Sequence, residues 1–189
     1  MMKLVNFFCR SQEFRKRLEG NRDRLYRIAY SWCHDAALAD DLTQEAIEKA
    51  LKKSGQLRDP GALDTWLFSI LNNCWRDHFR RSKDTVDIDE IPFTSDSTPE
   101  EEGHKHQVVT AVREAIATLP NGQRQVLTLV DLEGCSYIEV ANILGVPVGT
   151  VMSRLCRARR ALKARLIDSE LAPGTSVTEP QNHRIRRIK

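Results

Sequence analysis

The chain has 189 residues, 41% of them hydrophobic, with 29 basic and 26 acidic side chains and a formal charge of +3. That length suits one or two domains with real cores, and no apolar run approaches the ~20 residues of a membrane span. The charge is uneven: residues 1–83 carry +5, residues 84–102 carry −8 and residues 103–189 carry +6, so two basic ends suited to nucleic acid flank an acidic middle.

Phe14, Leu18, Leu25, Ile28, Ala29 and Trp32 form a helical stripe through residues 11–33, with a break near Gly20-Asn21. Asp35 is placed to cap a second helix over Ala36–Lys53, with Leu38, Leu42, Ala46 and Ala50 on one side. Asp41, Gln44, Glu45 and Glu48 then fall at i, i+3, i+4 and i+7 and share one exposed acidic face. Pattern alone makes that face an ordinary solvated surface.

Ser54–Arg58 reads as a loop. Asp59-Pro60 reads as a cap followed by proline at the first helical position, and a helix is expected from there to about Ser82. Leu63, Leu67, Ile70, Leu71 and Cys74 are its core side. Asn72, Asn73, Arg76 and Arg80 project elsewhere, near Trp66, Trp75 and Phe79. Cations and amides interleaved with aromatic rings suit single-stranded nucleic acid, which needs charges for phosphates and ring faces for bases. Trp66 is expected in the core; Trp75 fits either role.

Residues 83–103 are acidic and carry Pro92 and Pro99, too little apolar surface for a core. They read as a linker, whose ~20 residues reach roughly 70 Å when extended. A second domain begins near Gln107. Val108, Val112, Ala115, Ile116 and Leu119 make one helix stopped by Pro120; Gly122 to Leu132 makes another, with Val126, Leu127 and Val130 inside and Gly134 past its end.

Ser136 and Glu139 have the spacing of a capping box, so a helix starts there. Ile138, Val140, Ala141 and Leu144 are its expected apolar side, Gly145 ends it, and Pro147 helps start the next. Val151, Leu155, Ala158 and Leu162 recur at helical spacing, with Arg154, Arg157, Arg160 and Lys163 mainly elsewhere. Two helices joined by a short glycine turn, the second one basic, make a DNA-binding helix-turn-helix. The tail beyond Leu171 reads as disordered, ending in Arg184, Arg186, Arg187 and Lys189.

The expected fold is therefore all-α: two small helical domains, residues 1–82 and 107–170, joined by an acidic flexible linker over 83–106 and followed by a basic tail over 171–189. Cys9, Cys33, Cys74, Cys135 and Cys156 contain no C-x-x-C pair, and four lie in apolar helical patterns. They point to reduced, mostly buried thiols in a cytosolic protein. No secretory signal pattern is read at Met1–Leu18. No phosphate loop, dinucleotide fingerprint, metal-ligand spacing or nucleophile–base pair is present, so neither cofactor nor metal nor enzymatic activity is expected.

The order of these parts resembles the extracytoplasmic-function class of bacterial sigma factors, which keep only the second and fourth sigma regions. Asp-Asp-Leu-Thr-Gln-Glu-Ala at 40–46 is similar to region 2.2. Thr65–Asn73 with Arg76-Asp77 and Arg80-Arg81 is similar to regions 2.3 and 2.4. Leu119-Pro120, Arg124-Gln125-Val126, Glu133-Gly134 and Ser136 to Arg159 are similar to region 4. The resemblance implies that Asp41, Gln44, Glu45 and Glu48 dock on the core polymerase, reversing the surface reading of that face. It implies that Arg58, Asn72, Asn73, Arg76 and Arg80 bind the opened −10 element, and that the linker threads toward the polymerase active site and RNA exit. It assigns the −35 element to Thr150, Met152, Ser153, Arg154, Cys156, Arg157 and Arg160. Met152 occupies a place often basic in the family, so −35 recognition leans on Ser153, Arg154 and Arg157. Implied partners are core RNA polymerase, promoter DNA and an anti-sigma factor, with a monomeric free chain, no stable membrane insertion and a stress or envelope-signal regulon. A helix-turn-helix repressor or activator working without polymerase explains Gly134–Leu166 but leaves the acidic face and linker idle. A site-specific recombinase needs a nucleophilic serine or tyrosine with clustered arginines, which the N-terminal pattern does not offer.

Overall fold

The computed structural model describes residues 12–57, 59–82 and 104–168, and among them there is no strand. The chain is helical over 12–20 (α1), then forms α2 (Arg22–Cys33), α3 (Ala36–Lys52), α4 (Leu63–Ser82), α5 (His104–Ala117), α6 (Asn121–Leu127), α7 (Tyr137–Leu144) and α8 (Val148–Asp168). Arg58, most of the expected linker and the tail lie outside the described residues. α5 begins at His104, three residues inside the stretch expected as linker.

The N-terminal unit is built on α2, α3 and α4. Leu25, Ile28, Ala29 and Trp32 recur at helical spacing and are all fully buried. α2 stops where His34 takes a left-handed conformation, φ 53°, its N–H reaching the Tyr30 carbonyl at 2.7 Å. Asp35 then caps α3, its carboxylate accepting from the Leu38 N–H at 2.9 Å. The inner side of α3 is mostly small (Ala39, Thr43, Ala46, Ala50), which lets its neighbours come close. Between α3 and α4, Ser54–Gln56 and Pro60–Ala62 are single 3₁₀ turns, and Asp59 caps the second through the Gly61 N–H.

α4 is buried along two rows. Leu63, Leu67, Ile70 and Cys74, with Leu71 beside them, form the expected row and are buried, and α4 packs on α3 and α2. A second row, Phe68, Asn72 and Trp75, lies about 140° around at 100° per residue, and all three are 2% exposed or less. Asn72 and Trp75 bond to the C-terminal unit. The apolar core therefore runs through both units.

In the C-terminal unit Val126, Leu129, Val140, Val151, Leu155 and Ala158 are buried to 2% or less. α6 does not continue as a regular helix to Leu132. It widens into a π-turn over Thr128–Leu132, with the Glu133 N–H bonded to the Thr128 carbonyl at 3.0 Å, which buries Leu129 and leaves Val130 half-buried. Ile138, expected inside, is 66% exposed, and Ile143 is buried in its stead. The reason is angular: at 100° per residue Ile143 lies about 60° from Val140, at one edge of the arc that continues through Leu144 to Ala141, whereas Ile138 lies about 160° from Val140 and off that arc. Cys33, Cys74 and Cys135 are buried free thiols, and burial pushes Cys33 and Cys135 up to about 11. Cys156 departs from the buried pattern and is exposed. No single described helix is long and apolar enough to cross a membrane.

Candidate nucleic-acid interface

The helix-turn-helix follows from local chemistry. Ser136 and Glu139 close a capping box: the Glu139 N–H donates to Ser136 Oγ at 3.3 Å and the Ser136 N–H to Glu139 Oε2 at 2.8 Å. Those bonds from Ser136 hold the Glu139 carboxyl below its ordinary value. Gly145, φ 67°, ends α7 in the left-handed region that a side chain would strain. The axis then turns through 104° into α8.

Val151, Leu155 and Ala158 seat α8, and that seating decides what faces out. Met152, Ser153, Cys156, Arg157 and Arg160 are exposed, while Thr150 and Arg154 are half-buried. Arg159 is tied off by Asp131, its Nε donating at 3.0 Å. Arg154 leans inward over Gly122: a Cβ added there would sit 2.9 Å from the Arg154 Cζ. The seven residues assigned to the −35 element thus lie on one helix, with Arg154 laid over α6 of its own unit and lining a cleft.

The −10 candidates divide. Asn73 and Arg76 are exposed, and Arg80 is exposed with one bond to Asp77 at 3.2 Å. Asn72 is 2% exposed. Its Nδ2 donates to the Ile143 carbonyl at 2.9 Å and its Oδ1 accepts from Gln125 Nε2 at 3.1 Å. Trp75, which the pattern left open, is a core residue whose indole N–H donates to Asn121 at 3.2 Å, with Phe79 edge-on at 4.4 Å. A cleft of about 660 Å³ remains between the units. Asn73, Arg76 and Arg80 line one wall, and Asn121, Val146 and Arg154 the other. Candidates for two promoter elements therefore meet across one opening.

None of Asp41, Gln44, Glu45 and Glu48 on α3 lines this cleft. Asp41, Gln44 and Glu48 are exposed and Glu45 is half-buried. The face is less negative than its carboxylates suggest, because Glu45 pairs with Lys49 at 2.9 Å and Glu48 with Lys52 at 3.7 Å. Lys49 also reaches Asp77 on α4 at 3.4 Å, and these bonds, Glu45 first, raise its pKa.

Sequence reasoning missed the residues that join the units. Arg124, 4% exposed, donates to the Trp32 carbonyl at 2.6 Å and to the Ala117 and Leu119 carbonyls at 2.6 and 2.9 Å. Ser31 and Thr128 hydroxyls share a bond at 2.9 Å. Arg24 pairs with Glu133 across the units and with Asp64 in its own, its guanidinium lying over the Phe68 ring. The one available signal was Arg124 and Gln125, polar residues at the buried period of α6.

Two family models match this chain: Sigma-70 region 2 over residues 18–85 and Sigma-70 region 4 over residues 110–162. The RNA polymerase sigma-H factor of Pseudomonas aeruginosa is 35% identical over 155 residues, covering 76% of this chain and 80% of that one. The ECF RNA polymerase sigma factor EcfG of Rhodopseudomonas palustris is 34% identical, covering 75% and 78%. The ECF RNA polymerase sigma factor SigE of Mycolicibacterium smegmatis is 35% identical, covering 75% of this chain, and this chain spans 56% of its length. Among solved structures, the sigma factor RpoE of Bartonella quintana, in complex with the anti-sigma factor NepR, aligns with a TM-score of 0.65 at 27% identity, covering 82% of this chain and 98% of that one. CnrH, in complex with the cytosolic domain of CnrY, aligns at 0.60 and 25% identity, covering 84% and 90%. With both sigma regions present, in order, on one helical scaffold, the chain belongs to the extracytoplasmic-function class of RNA polymerase sigma factors.

Proposed function

We propose that this chain binds core RNA polymerase and directs it to promoters with matched −35 and −10 elements, opening the DNA and acting by binding rather than by bond-making chemistry. The observation that carries this is the separation of surfaces on α4. One of its rows packs toward α3, whose outer side presents Asp41, Gln44, Glu45 and Glu48 for the polymerase. The far side borders the cleft that Asn73, Arg76, Arg80 and Arg154 line. A protein that only bound duplex DNA would need α8 alone.

In this reading Asn72, Asn73, Arg76 and Arg80, with Arg58, hold the unpaired −10 strand. Removing a base from the stack costs a few kcal/mol, which stacking and edge hydrogen bonds recover. Thr150, Met152, Ser153, Arg154, Cys156, Arg157 and Arg160 meet the −35 major groove. The domain limits are residues 1–82 and about 104–170, with the acidic stretch between them threading the polymerase. The two structural neighbours are complexes with anti-sigma factors or a named cytosolic partner, which supports an anti-sigma partner here. The chain works in the cytoplasm and is monomeric when free. Reconstitution with core polymerase and a promoter library tests this: initiated transcripts from a defined motif are expected. Tight duplex binding alone, with no co-purification with polymerase, would overturn it.

A further inference from the structure

The outer side of α8 is divided lengthwise into an apolar edge and a basic one. We propose that the apolar edge, centred on Met152, reads thymine methyl groups in the −35 major groove, which makes Met152 a specificity-determining residue. The inference deepens the −35 reading of α8 and rests on it.

At 100° per residue, Val151, Leu155 and Ala158, which seat the helix, occupy an arc of about 60°. Measured from Val148 just outside that arc, Met152 and Cys156 follow at about 40° and 80°, then Arg160, Ser153 and Arg157 at about 120°, 140° and 180°. The first three side chains are apolar and open to solvent: Val148 is 38% exposed, Met152 is 53% exposed, and Cys156 is an exposed free thiol. The other three are polar or basic, and exposed as well. The two arginines of the first three turns, Arg154 and Arg157, lie off the apolar edge. Arg159, the next cation on that side, is held by Asp131, its Nε donating at 3.0 Å.

Methionine in a helix usually fills a gap in a core, but Met152 stands beside the seating arc and not within it. An apolar line that runs along a basic edge suits a partner that is anionic and apolar at once. Duplex DNA is such a partner. Its phosphates meet the arginines, and the base edges in its major groove carry one apolar group, the thymine 5-methyl. Position agrees, because recognition helices place their N-terminal residues on base edges, and Met152 is the fifth residue of α8. Ser153 cannot recognise thymine in its place. Its hydroxyl proton goes to the Thr150 carbonyl at 3.1 Å, so it offers thymine O4 no donor and can only accept from a base amine.

The test uses the full chain with core polymerase, on promoters that this holoenzyme selects from a library randomised over the −35 element. The selected element is expected to contain thymine. Each thymine is then replaced singly by deoxyuridine, which removes the methyl group and leaves the hydrogen-bonding edges in place. Competition against the unmodified promoter is expected to show a loss of about fourfold at one or two positions, the weight of one buried methyl at ~0.8 kcal/mol. Met152→Ala is expected to weaken the thymine promoter by at least as much and to make those positions indifferent to uracil. Arg157→Ala is expected to weaken binding and keep the uracil penalty. Met152→Lys is expected to lose the penalty and to steepen the slope of log affinity against log salt by about 1, as a new phosphate contact does. Met152 is exposed, so each variant is expected to keep its circular dichroism. A selected element without thymine, or one on which uracil costs nothing, would overturn the methyl reading. A uracil penalty that survives Met152→Ala would overturn the role of Met152 and leave its exposed face to a protein partner. Whether wild-type holoenzyme initiates from any library member decides the sigma reading; the uracil scan decides only what Met152 touches.

Discussion

The Arg124 guanidinium donates to the backbone carbonyl of Trp32 at 2.6 Å across 92 residues of chain. Among the described residues no carboxylate pairs with it. Burial lowers its pKa to about 10, so it keeps its charge, and its compensation comes from carbonyls at the ends of α2 and α5. Arg124→Ala is expected to lose about 3 kcal/mol, because each stranded buried carbonyl costs on the order of 1 kcal/mol or more. Arg124→Lys is expected to recover less than half, since an ammonium cannot span acceptors that a planar fork reaches together. Urea midpoints at constant m-value measure both.

Gly122 has a different use. It lies in the first turn of α6 without a left-handed φ, so alanine is compatible with its backbone, but a Cβ would press on the Arg154 guanidinium. That guanidinium is the free end of a flexible side chain and can swing away. Gly122→Ala is therefore expected to leave stability unchanged or to raise it by up to about 1 kcal/mol, the helix propensity difference. At the same time it should alter −35 duplex affinity by displacing Arg154. Thermal unfolding and a duplex titration in polymerase-bound form separate the two effects.

What could be read in advance follows from locality. The capping box, the Gly145 stop, the Asp35 cap and the seating of α8 on Val151, Leu155 and Ala158 depend on neighbours within a few residues, and the structure has them all. The second buried row of α4 was not legible, because its partners on α6 and α7 lie some 50 to 70 residues away. A mixed row of asparagine, tryptophan and phenylalanine reads equally well as a base-binding strip. Ile138 misled for the opposite reason: a hydrophobic residue near a helix start was credited to the core without its angle. Lys49 was overlooked on α3 because the face was read for one sign only, though lysine four residues after Glu45 is the expected partner.

His34 makes stability pH-dependent. It packs against the Tyr30 ring, and burial, with Arg124 nearby, lowers its pKa to about 4. Its Nε2 is buried without a hydrogen-bond partner, so a proton there would find no acceptor. The unfolded chain binds that proton near pH 6.5 and the folded chain does not until about 4. Across that window the unfolded state holds more protons, so stability falls as pH falls. His34→Asn keeps a residue type that accepts the left-handed backbone. It is expected to flatten the acid limb of melting temperature against pH between those values, relative to wild type.

Reversal of the acidic face separates binding from folding. Glu45→Lys breaks a half-buried i,i+4 helix pair with Lys49, and such helix pairs contribute about 0.5 kcal/mol or less. Asp41→Lys has no ion pair to break among the described residues. The double variant is expected to keep its circular dichroism and lose only a few degrees of melting temperature. Its affinity for core polymerase should fall by about tenfold or more, the effect of 1.4 kcal/mol. Unchanged co-purification would remove these residues from the polymerase contact.

On α8, position along the helix assigns different tasks to Arg157 and Arg160, both of which are exposed. Recognition helices contact base edges with their N-terminal residues. Arg154 and Arg157 lie in the first three turns after Val148, and Arg160 lies beyond them. Arg157→Ala is therefore expected to cost about 1–3 kcal/mol on the preferred −35 sequence and much less on others, the signature of a lost bidentate base contact. Arg160→Ala is expected to weaken all duplexes evenly and reduce the slope of log affinity against log salt by about 1, as a lost phosphate contact does. Both titrations belong on the polymerase-bound form, the state in which the proposed −35 reading takes place. Equal losses across sequences at Arg157 would place it on the backbone and shift base reading to Ser153 and Arg154.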